Sequence, residues 1–540
     1  MAGFEHALIL ILLLTALSVV GGWLPWPRPI TYMVGASVVA HWPAFPRIEL
    51  DPGFFFLCFV PPLLFSDGWL MPLRDFLAVR RAILLLAIGL VVFTTVAVGL
   101  VAHALVPGLP LAMAFALGAV ISPTDAVAVG TILHRLKAPA RLTAVLNGES
   151  LMNDATGLVA FKFALGAMVA GTFSLRAATF DFALVALGGL SVGLAVGYLV
   201  GRVRDLLLAM HSSDGFVEVT LSLMTPYAAY LLAEKLGFSS ILAVVAAGLF
   251  SGWRDPIRTD AWTRQTSRTM WSVVLFWLNG LAFILLGLQF PSILAAVSDR
   301  YPAAQLGLLT AAVAGVTIVG RLLWVFPAAY LPFLFSARIR RSEKRPGWQS
   351  VFVCGWAGMR GTITLAAALS IPVYQADGTP FPGRDIVIFL ALGVIVVTLL
   401  LHGMTLGWVI GWLGLRADDT RAKEDRLARI AAVESGLLSL RATEVAGAAE
   451  EQAAFALIVA EYEHRLAELT ASGEIRASAQ RHRISGRQHR LHALHAERAT
   501  IDDLWRRDVI ADETHRPLQQ LLDHEESLLQ GQAGHLSDRE

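Results

Sequence analysis

The chain of 540 residues is 56% hydrophobic and only 16% charged, with a mean hydropathy of +0.61. A soluble domain carries about 25% charged residues, so ordinary globular classes are excluded and a polytopic membrane protein is expected. The net charge of +1 hides an asymmetry: 26 Lys and Arg stand against 19 Asp and Glu up to Leu415, and 17 against 23 beyond it, a net +7 followed by a net −6. Apolar runs cease at the same point. The chain therefore reads as a membrane domain, 1–415, and a polar cytosolic tail, 416–540.

A membrane span needs about 20 apolar residues. Thirteen runs meet or approach this, at 4–22, 29–44, 50–70, 82–105, 110–133, 142–170, 180–201, 214–234, 237–252, 269–290, 302–335, 349–371 and 385–414. The first has no basic residues ahead of it and no small-residue cleavage site, so it reads as a span and not as a signal peptide. Lys and Arg gather in alternate loops, 18 in the set that opens with Arg28 and closes with Arg345, against 5 in the other, Arg47, Arg176, Lys235, Arg300 and Arg384. By the positive-inside rule the N-terminus lies outside and the C-terminal tail in the cytoplasm of a plasma-membrane protein. Thirteen divides as six, one and six, and the single linker span turns the second six-helix unit upside down. The expected fold is all-α, two inverted repeats with span 5 paired to span 12, plus a helical tail.

Within the spans, polar residues are few. Span 3 holds an aromatic run, Pro61-Pro62 and, near its cytoplasmic end, Asp67, which is expected to be solvated. Span 5 contains Gly118-Ala-Val-Ile-Ser-Pro-Thr-Asp125, where Pro123 removes a backbone donor midway through the membrane. Its partner, span 12, contains Gly355-Trp-Ala-Gly-Met-Arg-Gly-Thr362 around Arg360. Both read as discontinuous helices that cross at a binding site, with Asp125 opposite a helix N-terminus and Arg360 opposite a C-terminus. Glu218 and Thr220, early in span 8, are candidates for a vestibule, and Gly188-Gly189 fits close helix packing. Cys58 and Cys354 both fall in apolar runs, which excludes a disulfide framework or CxxC metal site.

Span 6 carries Asn147-Gly-Glu-Ser-Leu-Met-Asn-Asp154. Carboxylates at bilayer depth mark ion paths and proton relays. Ser150 and Asp154 share one helix face at i, i+4, and Glu149 and Asn153 share the adjoining one. Oxygen ligands suit hard cations, so Asp154 with Ser150 and freed carbonyls is able to hold a dehydrated Na+ or a proton, but not both. That exclusivity is a mechanism of one-for-one exchange. Glu149 needs a counter-ion, for which Arg321 is favoured over Arg360; Lys162, two turns beyond Asp154, is expected to snorkel to the outer surface.

In Pro61-Pro-Leu-Leu-Phe65, Ser122-Pro-Thr-Asp-Ala-Val-Ala-Val129, Asn147-Gly-Glu-Ser-Leu-Met-Asn-Asp-Ala-Thr-Gly157, Gly358-Met-Arg-Gly361 and His402-Gly-Met-Thr405 the chain resembles sodium/proton exchangers of the monovalent cation:proton antiporter 1 family. The resemblance spans most of the membrane domain. It implies that Asp154 is the ion- and proton-binding carboxylate, with Asn153 typical of electroneutral exchangers. It further implies that Ser150 and the Thr124 carbonyl assist ligation, that Glu149 pairs with Arg321, and that Asp125 with Arg360 stabilises the helix crossing. A homodimer with an elevator-like transport bundle is also implied. Where many members have Pro after the residue matching Asp125, this chain has Ala126, so the break rests on Pro123.

Na+/H+ exchange in pH and sodium homeostasis is the expected function, with no cofactor and no nucleic-acid partner. K+ or Li+ in place of Na+, a passive cation channel, and an intramembrane hydrolase using Ser150 or Asp154 are the alternatives. No HExxH motif and no base near Ser150 favours the hydrolase. The tail shows helical periodicity at Leu437, Leu440, Val445, Phe455 and Leu466, with hinges expected at Ser472-Gly473 and Ser485-Gly486. Eight of the fourteen histidines lie there, among them His489, His492, His495 and His515, which raises pH sensing as a hypothesis.

Overall fold

The computed structural model describes residues 2–24, 26–42, 45–46, 52–136, 138–170, 175–210, 215–375, 378–415, 419–442, 449–471 and 473–537. Among these the protein is all-α, and the chain divides into two compact units, Met1–Arg416 and Ala417–Glu540.

In the first unit the helices are α1 (Ala2–Trp23), α2 (Arg28–Ala40), α3 (Pro52–Leu70), α4 (Leu73–Leu84), α5 (Val91–Leu105), α6 (Leu111–Ile121), α7 (Ala126–Arg135), α8 (Ala140–Ala170) and α9 (Leu175–Ala209). There follow α10 (Gly215–Lys235), α11 (Ser240–Arg258), α12 (Ala261–Ser298), α13 (Ala303–Phe335), the short α14 (Ala337–Ser342), α15 (Trp348–Trp356), α16 (Thr362–Leu369) and α17 (Arg384–Trp412). A π-helical turn, Leu85–Leu90, joins α4 to α5 in one crossing. Trp324 of α13 donates its indole N–H to the Leu85 carbonyl at 3.1 Å, which satisfies an acceptor where the helical ladder changes register.

Eight crossings among the described residues are long and apolar enough to span a bilayer by themselves. The remainder are shortened (α2), broken (α6 with α7, α15 with α16) or interrupted by polar and charged residues (α8, and α11 from Arg254 on). In the two halves that flank α9, the fifth crossing is the broken one, seated against the helices before and after it: α6 against α5 and α8, α15 against α13 and α17. Small residues let backbones approach closely: a Cβ on Gly193 would sit 2.0 Å from the Ala243 carbonyl, and one on Gly248 2.5 Å from that of Phe65. Helix ends differ from the apolar runs where capping decides them. The tenth crossing begins at Ala261, not 269, because the Asp260 side chain accepts from the Thr263 amide at 3.4 Å.

The second unit holds α18 (Asp419–Arg441), α19 (Ala449–Thr470), α20 (Gly473–Arg506) and α21 (Asp512–Ser537). α18 packs on α19 and α20 on α21. Arg426 of α18 reaches the terminal carbonyls of α19, at 2.8 Å to Leu469 and 3.2 Å to Thr470. Of the two expected hinges, Ser472 lies outside the described residues, while Ser485-Gly486 runs unbroken inside α20. An interior Gly costs a helix about 1 kcal/mol, too little to break one braced along α21 by Arg498, which pairs with Asp523 at 2.5 Å and Glu526 at 2.6 Å.

Candidate functional site

α6 ends at Ile121 because Pro123 cannot donate to the helical ladder. The chain runs extended through Thr124 to α7, where the Asp125 carboxylate accepts from the Ala128 amide at 3.2 Å and caps the new helix. The second break, between Trp356 and Thr362, passes the first: the Asp125 amide donates to the Met359 carbonyl at 2.9 Å. A Cβ on Gly361 would lie 2.3 Å from Asp125 Oδ2, so the approach of the two strands requires glycine there.

Each break exposes carbonyls at a helix C-terminus, and each is met by a buried arginine. Arg360 gives Nη1 to the carbonyls of Ser122 (2.6 Å) and Pro123 (2.8 Å), at the end of α6. Arg321, on α13, gives Nε to the Gly355 carbonyl (3.2 Å) and Nη2 to that of Cys354 (2.9 Å), at the end of α15. The same guanidinium meets Glu149 of α8 in a fork, with Nη1 on Oε1 and Nη2 on Oε2 at 2.8 Å.

α8 brings its polar face to Thr124. Ser150 Oγ donates to the Thr124 carbonyl at 2.7 Å, Asn153 Nδ2 donates to Thr124 Oγ1 at 2.7 Å, and the Thr124 amide points to Asn153 Oδ1 at 3.4 Å. Asp154 is 3% exposed. It faces a cavity of about 20 Å³, shared with Asp67, Thr124, Asp125, Ser150, Asn279 and Thr362. That is room for roughly one water-sized occupant. Among the described residues no hydrogen bond or ion pair engages the Asp154 carboxylate.

Of the residues singled out in the sequence, Asp154, Ser150, Thr124 and Asp125 line one cavity; Glu149, Arg321 and Arg360 do not line it, although Arg360 grips the carbonyl of Pro123 in its wall. Asn153 holds Thr124 from behind and does not line the cavity. Asp67 corrects the sequence reading: it is half-buried and borders the Asp154 cavity, where solvation near a helix end was expected. Gly68 lies close against α11, where a Cβ would come 3.0 Å from the Val245 carbonyl, so the end of α3 is held inside the bundle. Asn279, Thr362 and Thr364 also line the cavity and were missed; an amide midway along the apolar run of α12 was the available signal for the first. Glu218 lines a separate pocket with Arg204 and Asp255, Thr220 is exposed, and Lys162 lines another pocket with Glu234. His402 is buried against Trp356 at 5.1 Å, and Trp356 donates to Thr405 Oγ1 at 2.9 Å, so that motif packs behind the second break.

Residues 8–412 match the family described as sodium/hydrogen exchanger, transmembrane. The chain is 35% identical over 546 residues to the uncharacterized Na(+)/H(+) exchanger YjcE of Escherichia coli, covering 97% of this chain and 98% of that one. It is 38% identical over 408 residues to a "sodium, potassium, lithium and rubidium/H(+) antiporter" of Bacillus pumilus, covering 75% of this chain but only 60% of the relative's length. In fold it is similar to the sodium proton antiporter MjNhaP1 of Methanocaldococcus jannaschii, with a TM-score of 0.60 at 18% identity over 76% of this chain and 99% of that one.

Proposed function

We propose, from the premise that this chain belongs to the transmembrane sodium/hydrogen exchanger family, that it expels cytoplasmic Na+ in exchange for external H+. The observation that carries this is the Asp154 carboxylate, buried and facing a cavity that also receives the Ser150 hydroxyl and the Thr124 backbone. Ionised, Asp154 supplies charge and oxygen for a dehydrated cation, with Ser150 Oγ and the second lone pair of the Thr124 carbonyl as further ligands. Protonated, it offers no charge to hold one. Exposed alternately to either side, one carboxylate exchanges one cation for one proton.

Glu149 takes no part in that competition, because both its oxygens lie on Arg321. Asp125 and Arg360 hold the crossing open and neutralise its helix ends. The loop charges support an N-terminus outside, a cytoplasmic tail and a plasma-membrane location. A homodimer with an elevator-like transport bundle, and a role in pH and sodium homeostasis, complete the reading. The ions for which the Bacillus relative is named favour a second reading in which K+ and Li+ also serve.

The test is reconstitution in liposomes with an imposed pH gradient and internal pH followed on adding Na+, K+ or Li+. Proton movement driven by Na+ and lost in Asp154→Asn is expected. A fully active Asp154→Asn protein would overturn the mechanism, and ion flux without proton movement would make it a channel.

A further inference from the structure

Away from the crossing, α4, α8, α13 and α15 enclose a second cavity of about 300 Å³. Its mouth carries Arg81, Arg141, Lys344 and Arg345; its walls are apolar, with Leu86, Val325 and Val351 among them, and it reaches inward to Cys354. Glu343 answers two of the cations, at 3.1 Å from Arg81 and 3.3 Å from Arg141, which leaves the mouth with an excess of positive charge. Arg81 lies over the Phe333 ring at 4.8 Å, and its Nε and Nη1 are buried with no protein acceptor. Arg345 is steered over Tyr330 at 4.8 Å, and Tyr330 is tied by its hydroxyl to the Pro346 carbonyl at 3.3 Å.

We propose that this cavity is a binding site for an anionic phospholipid, its phosphate held by Arg81, Arg141 and Arg345 and its acyl chain laid along the apolar wall. Three features favour a lipid. Two guanidinium donors of Arg81 await an acceptor, the apolar wall offers an inorganic anion nothing, and the cations sit at the ends of membrane-spanning helices, where leaflet headgroups lie. Basic pockets between such helices suit acidic headgroups. The floor is the segment whose Cys354 carbonyl takes Arg321, so an occupant would brace α15 against α8 beside the Glu149 ion pair.

The experiment titrates full-length protein in neutral detergent with dioctanoyl phosphatidylglycerol, dioctanoyl phosphatidylcholine or glycerol phosphate, following the unfolding midpoint. Phosphatidylglycerol is expected to raise the midpoint. In Arg141→Gln/Arg345→Gln its half-saturating concentration should rise by roughly 25-fold, at about fivefold per cation removed. A control double variant at the exposed Arg74 and Arg80, outside the cavity, should bind as the parent does, and the lipid-free midpoint of each variant reports its folding. Filling the wall with Ala329→Trp should abolish the shift without removing charge. Equal effects of the zwitterionic lipid would overturn the proposal. So would equal loss in the control variant, and saturation by glycerol phosphate at the same concentration would make the site one for free phosphate.

Discussion

Glu149 and Asp154 stand five residues apart on α8 and are equally withdrawn from solvent, at 0% and 3% exposure, yet their surroundings have opposite chemistry. Glu149 is held by both arms of one guanidinium, which also serves two backbone carbonyls. Asp154 looks into a small polar cavity. A buried charge with both oxygens held by a guanidinium is part of the framework; one left facing space is available to exchange its partner. The contrast explains how less than two turns of one helix supply both a brace and a working site.

The strongest way to break that contrast is at Asp154. Replacement by Asn keeps volume and removes the exchangeable charge, so cation-driven proton movement in proteoliposomes should fall to the background of empty vesicles, with the unfolding midpoint little changed. Next in size is the brace. Arg321→Met strands Glu149 as a buried unpaired charge and should cost about 3–5 kcal/mol, whereas Glu149→Gln with Arg321→Met should recover much of it. Thermal unfolding in detergent separates the two. If the single and double variants are equally unstable, the pair is not the structural unit assumed.

Smaller effects sharpen the ligand set. Ser150→Ala removes one neutral hydroxyl partner, worth about 1 kcal/mol, so the Na+ half-saturating concentration should rise about fivefold while maximal exchange persists. The smallest effect lies in the tail. His515 Nε2 sits 2.9 Å from Asp502 Oδ1, and this bond, with Gln519 beside it, holds the Asp502 carboxyl below the ordinary carboxylate range. A depressed folded value means that the contribution is present above the unfolded value, about pH 4, and is lost as pH falls through the folded one. Amide protection factors in α20 and α21, taken relative to intrinsic exchange at each pH, should therefore fall modestly on acidification below about pH 4, and that fall should vanish in Asp502→Asn.

How much of this was legible in the sequence follows from range. The 3.6-residue period put Ser150 and Asp154 on one face, and span depth matched Glu149 to Arg321, since a buried carboxylate had few cations to choose from. Proline and glycine marked both breaks. What the sequence hid was set by packing between distant segments. Asp67 looked solvated because only its own helix was in view, and the close fit of Gly68 to α11 is a tertiary fact. The double service of Arg321 was hidden for the same reason: its carbonyl partners belong to a half-helix more than thirty residues on. Ser485-Gly486 failed as a hinge because partners on α21 outweigh a local glycine penalty.

The central claim, that cation and proton compete for Asp154, is tested most directly by counting protons. Na+ added to purified protein in weakly buffered solution should displace one proton for each cation bound at a pH where Asp154 is protonated before Na+ arrives, falling toward none as rising pH ionises it beforehand, and neither event should be seen in Asp154→Asn. Sodium binding with no proton released at any pH, or release undiminished in Asp154→Asn, would contradict the account.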